Sequence, residues 1–224
     1  MQDSDNISRL IGDLAGDLRP VRRIEAPWLS ALFWGLAVLA LALVLVAIKD
    51  YLPWAAPMQA DFYTWPGIAA AGLTALFAAF AAFQISLPDR NSAWAFLPLP
   101  PFLAWLVING IGCVAYAATP GALPGEWPAF MQCLSVLIAL SVPLSVFLIL
   151  MVRRARPLRP SLVALMGGLA VAGAAQTLLV LVHPHDATLL DLAAHGLAVV
   201  LIVGLNAALG GRLLVPANKF RSQA

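Results

Sequence analysis

The chain has 224 residues, of which 62% are hydrophobic and only 11% charged, and its mean hydropathy is +0.88. A water-soluble domain carries about 25% charged residues, so the composition excludes an ordinary soluble fold, and no polar stretch is long enough to form a second domain. The net charge of +2 excludes little by itself, whereas two cysteines, Cys113 and Cys133, are too few for a disulfide framework.

The first element is polar on one side only. Ile7, Leu10, Ile11, Leu14 and Leu18 recur at helical spacing, with Arg9, Asp13 and Asp17 off that stripe. Asp3 or Ser4 could cap the start, and Pro20 sets the end. Gly12 and Gly16 each cost about 1 kcal/mol relative to alanine, so the helix needs something to cover its leucine face. Helices that lie on membranes are usually rich in Lys and Arg on the polar face. This one offers acids, which favours a protein partner in a helix-in-groove contact; docking on the chain's own bundle is the plainer alternative. The 28 mixed residues before the first apolar run, and the lack of a small-residue cleavage site in that run, argue against a cleavable signal peptide.

Crossing the ~30 Å hydrocarbon core takes roughly 20 apolar residues as a helix. Runs at 29–48, 66–86, 131–152, 160–182 and 189–209 satisfy this. A further run near 94–116 is interrupted by Pro98, Pro100 and Pro101, so its regular helix should start near Pro101, after an interfacial lead-in with Trp94 and Phe96. The expected architecture is an all-α, six-span bundle over residues 29–213, between an N-terminal tail at 1–28 and a C-terminal tail at 214–224. Ala164, Gly168 and Ala172 in the fifth span, and Gly72 among alanines in the second, offer small faces for close helix packing.

With an even number of spans the tails share a side, and the basic residues decide which. Arg9, Arg19, Arg22, Arg23, Arg90, Arg153, Arg154, Arg156, Arg159, Arg212, Lys219 and Arg221 fall on that side, and Lys49 alone on the other. The positive-inside rule puts both termini in the cytoplasm. Trp28, Trp54, Trp65, Trp94 and Trp127 fall at expected interfaces. The plain reading of Arg19-Pro20-Val21-Arg22-Arg23, and of the arginine loop at 153–159, is topology plus attraction to anionic lipid.

Every cysteine and histidine then belongs to the opposite side. Cys113 lies near the outer end of the third span, Cys133 near the start of the fourth, and His183, His185 and Asp186 in the loop after the fifth. Asp191 and His195 share one face of the sixth. Thiolates and imidazoles suit soft or borderline metals, and two thiols in an oxidising compartment can pair. Each residue also has an ordinary explanation: a small apolar cysteine, a solvated loop histidine, a satisfied polar pair. Ionisable groups within spans nevertheless raise the prospect of a metal or redox site. No nucleophile–base constellation or zincin spacing occurs, so catalysis is not expected, nor is a resident cofactor beyond a sensed divalent metal ion.

The stretches "LIGDLAGDLRPVRRIEAPW", "AWAFLPLPPFLAWLVINGIGC", "CLSVLIALSVPLSVFLILMVRRARPLRPSLVALMGGLAVAGA" and "LVHPHDATLLDLAAHG", in that order, resemble the NrsF family, negative regulators of sigma F. The resemblance covers nearly the whole chain and implies a six-span inner-membrane anti-sigma factor. It implies that the N-terminal segment, including Arg19 and Pro20, holds an ECF-type sigma factor, without direct nucleic-acid contact, until a periplasmic metal or oxidant signal releases it. Family members often carry a cysteine in the turn after the fifth span, where this chain has Val182-His183-Pro184. A disulfide between Cys133 and that turn is therefore impossible here, and sensing would fall to His183 and the remaining thiols, or to another signal. A small-solute or metal-ion transporter is the main competing reading; its midplane polar residues would be Asn109, Gln176 and Asn206, few and uncharged. An intramembrane enzyme fits least well, for lack of a matched acid–base pair, and a structural subunit of a larger complex is a further, bland alternative.

Overall fold

The structure is a computed structural model that describes residues 2–16, 26–51, 62–122, 125–182 and 188–214. It contains seven α-helices in that described part and no strand: α1 (Gln2–Gly16), α2 (Pro27–Ile48), α3 (Thr64–Ile85), α4 (Leu99–Ala117), α5 (Trp127–Arg153), α6 (Pro160–Leu179) and α7 (Leu189–Leu213). The last six, taken with the short 3-10 segments beside α2 and α4, are long and apolar enough to cross a membrane.

Proline fixes several of the starts. Its missing N–H costs nothing in the first helical turn, and its φ is already helical. Pro27, Pro128 and Pro160 open α2, α5 and α6 in this way. This explains why α5 begins at Trp127, four residues before the sequence expectation. Pro100 and Pro101 likewise lie in the first turn of α4, which begins at Leu99, close to the expected start near Pro101. The segment before it is a 3-10 turn, Ser92–Phe96, whose Asn91 side chain accepts from the Ala93 N–H at 2.9 Å. Within it Phe96 is exposed, Trp94 meets Phe80 edge-to-face at 5.5 Å, and Pro98, just beyond, is fully buried. At the front, α1 starts at Gln2, ahead of both Asp3 and Ser4, so neither is its cap.

The bundle is built around α6, 83% of whose apolar window is buried, against 11% for α2. α6 reaches this position because it lacks bulk. A Cβ on Gly173 would stand 2.8 Å from the Ala71 carbonyl oxygen of α3, and one on Gly168 would stand 2.8 Å from Cα of Val203 in α7. Backbones that approach this closely gain dispersion contacts without needing a hydrophobic drive that lipid cannot supply. On the neighbouring side, Leu148 of α5 fills the space over Gly167. Hydroxyls inside the helices are satisfied locally: Thr74 and Ser141 donate to the carbonyls of Ala70 and Leu137 at 2.7 Å. Asn206 of α7 donates to the Ile202 carbonyl at 2.8 Å and to the Ser145 hydroxyl of α5 at 3.1 Å.

Candidate functional site

The first turns of α5 and α7 meet, and two residues outside the candidate set bring them together. Thr188 caps α7, its hydroxyl accepting from the Asp191 N–H at 3.1 Å. Gly125, just before α5, has φ of +90°, and a Cβ there would stand 2.8 Å from the Thr188 hydroxyl oxygen. Only glycine takes that backbone shape at that distance without strain. The cap sets the register of Asp191, and the glycine lets α5 begin against it. Thr188-Leu189-Leu190-Asp191 is a capping signature readable in the sequence itself, a threonine followed three residues later by an acid.

Cys133, Asp191 and His195 converge at this junction. One sulfur, one carboxylate oxygen and one imidazole nitrogen lie within 4.8 Å of one another. Cys133 has no exposed surface, and the side chains of His195 and Asp191 are 6% and 14% exposed. Nε2 of His195 stands 3.7 Å from Oδ2 of Asp191, as i,i+4 spacing on one helix face dictates. Gln176 of α6 fixes the same level by donating to the His195 carbonyl at 3.4 Å. Donors that share one tetrahedral ion at bonds of ~2.0–2.3 Å stand roughly 3.3–3.8 Å apart. Small rotamer changes would therefore close this triad on a soft or borderline cation, with water in the open position.

The remaining candidates divide. Cys113 is buried on α4 and takes no part in the triad, and both thiols are free. His183, His185 and Asp186 lie outside the described residues, as do Leu18, Arg19 and Pro20.

The far end of the helices is basic. Arg153 closes α5, twenty residues or ~30 Å along the helix from Cys133. Arg153, Arg154, Arg156 and Arg159 are all exposed around a loop anchored by buried Pro157. Arg156 adopts φ of +48° to turn the chain there. Arg212 lies in the last turn of α7.

On α1, Ile7, Leu10, Ile11 and Leu14 are 58%, 59%, 61% and 62% exposed. The leucine face is therefore not docked on the chain's own bundle, the plainest of the covers the sequence allows beside a protein partner and a membrane surface.

Fold and site together define a small all-α bundle with six helices able to cross a membrane, a buried thiol–carboxylate–imidazole triad at one end and a basic rim at the other. Among known families, the model of NrsF, Negative regulator of sigma F, matches residues 14–215, and the chain belongs to this family. It is thus of the anti-sigma class, as the sequence resemblance implies. No curated protein and no solved structure matches the chain. The family match starts at Leu14, so Ile7, Leu10 and Ile11 precede it.

Proposed function

We propose that the chain holds an ECF-type sigma factor at the bacterial inner membrane through its cytoplasmic N-terminal segment and releases it when the triad on the periplasmic side meets a soft metal ion or a thiol oxidant. The observation that carries this reading is α1: four large apolar side chains on one helix face stand open although the other six helices fold into a bundle. Family membership supplies the kind of partner. The opposed basic rim supports the orientation, because arginines concentrate on cytoplasmic faces. The triad supports the signal, since its donors suit soft and borderline cations and lie at the end remote from the arginines.

A transporter is less well supported. Asn109 donates to the Trp105 carbonyl of its own helix at 2.8 Å, and Asn206 lies beside Gly168, eight residues or ~12 Å along α6 from Gln176. The three polar residues therefore do not line one path.

Capture of the sigma factor by the full-length protein in detergent tests the reading. Burying a leucine is worth about 1.5–3 kcal/mol, so Leu10→Asp with Leu14→Asp should weaken capture by a factor on the order of a hundred or more. Membrane insertion should be unchanged. Undiminished capture by this double variant would remove α1 as the principal contact.

A further inference from the structure

A cavity of ≈ 30 Å³ opens beside the triad at the ends of α3 and α6, lined by Thr64, Gly67, Trp105, Asn109, Gln176 and His195 among others. Its volume is that of about two water molecules. Four of its ten lining residues, Thr64, Asn109, Gln176 and His195, carry hydroxyl, amide or imidazole side chains, gathered at one point of an otherwise apolar bundle. Thr64 opens α3, and Val180, which also lines the cavity, follows α6, so the cavity lies at the helix ends that carry the triad.

Two further observations define what it can do. His195 belongs to both the cavity and the triad, whereas Cys133 is wholly enclosed. Ala71, Trp105 and Gln176 also border a smaller void of ≈ 10 Å³, whose other walls are apolar except for Thr74, and the Thr74 hydroxyl already donates to the Ala70 carbonyl at 2.7 Å. The polar lining therefore thins out toward the middle of the bundle.

We infer that this pocket is a hydrated antechamber through which a divalent soft cation from the extracytoplasmic side reaches His195 and then Cys133. The inference rests on the metal-sensing reading proposed above. Carboxamides and a hydroxyl can replace part of a cation's hydration shell without binding it tightly, and the imidazole is the first strong donor met on the way in. A polar lining that thins out beyond the imidazole delivers an ion to a site and no further, which suits a sensor and does not suit a conduit.

Gly67 is the point at which to close it, because a Cβ there would stand 3.4 Å from the amide nitrogen of Asn109. With Cys113→Ala as background, Cd²⁺ binding to the full-length protein in detergent can be followed by the thiolate–cadmium charge-transfer band in a stopped-flow instrument. Gly67→Leu should slow the appearance of the band about tenfold while leaving its final amplitude unchanged, as for association that must wait on an opening motion. An intact band with equal rates would overturn the antechamber alone. No band in the parent, or one that persists in Cys133→Ser, would overturn the metal reading and the ion route with it. Should Gly67→Leu fail to fold, Asn109→Cys in a Cys113→Ala, Cys133→Ser background decides. A small charged methanethiosulfonate added to intact cells should label it, and absence of labelling would show the pocket closed to water.

Discussion

His195 belongs to two environments at once, walling the polar cavity and completing the triad with Cys133 and Asp191. Loss of a partner around a metal costs about 10–100-fold in affinity even when that partner only orients a ligand. His195→Leu should therefore weaken Cd²⁺ binding by about a hundredfold, measured by competition with a chelator. Asp191→Asn keeps the shape and removes the charge, so it should weaken binding less. Equal affinities in all three proteins would place the ion elsewhere. The pairing of Asp191 with His195 was legible from their spacing, since residues four apart share a helix face. The inclusion of Cys133 and exclusion of Cys113 were not. Both cysteines fall near the same expected end of the bundle, and only the contact of α5 with α7, permitted by Gly125 and the Thr188 cap, separates them.

Among the helices, α6 shows how far packing in lipid depends on the absence of side chains. Gly173→Ala would push a Cβ to 2.8 Å from the Ala71 carbonyl oxygen, a backbone atom that cannot swing aside. The change should destabilise the bundle by about 1–3 kcal/mol, read as a lowered unfolding midpoint in detergent. Gly204 in α7 has nothing within 4 Å of the equivalent point. Gly204→Ala should therefore be neutral or gain up to about 1 kcal/mol of helix propensity. The link between Asn206 and Ser145 joins α7 to α5 at 3.1 Å, and a double-mutant cycle with Asn206→Leu and Ser145→Ala should give a coupling of about 0.6 kcal/mol. The spans themselves were readable because ~20 apolar residues in a row have few other destinations. Their exact starts were less so. Hydropathy does not register Trp127-Pro128 as helix, yet a proline in the first turn extends α5 back to Trp127. The small face of α6 was visible as Ala164, Gly168 and Ala172, but hydropathy alone does not tell a central helix from a peripheral one.

Over the whole molecule, the triad and the arginine loop are held apart by the length of α5, and the proposed function needs them on opposite sides of a membrane. Alkaline phosphatase fused after Ala122 should be active, and the same enzyme fused after Arg159 inactive, with the reverse for a green fluorescent reporter. The opposite pattern would end the sensor reading. The helix next to the N-terminal segment is the least embedded of the six: within α2 only Trp34 and Leu45 are buried. Trp34 is 1% exposed, and its indole nitrogen has no hydrogen-bond partner. Trp28, Trp65 and Trp127, by contrast, are more than half exposed. The chain thus carries its own optical gauge of how firmly α2 sits: quenching by brominated acyl chains that disappears in Trp34→Phe would report that helix lifting away into lipid.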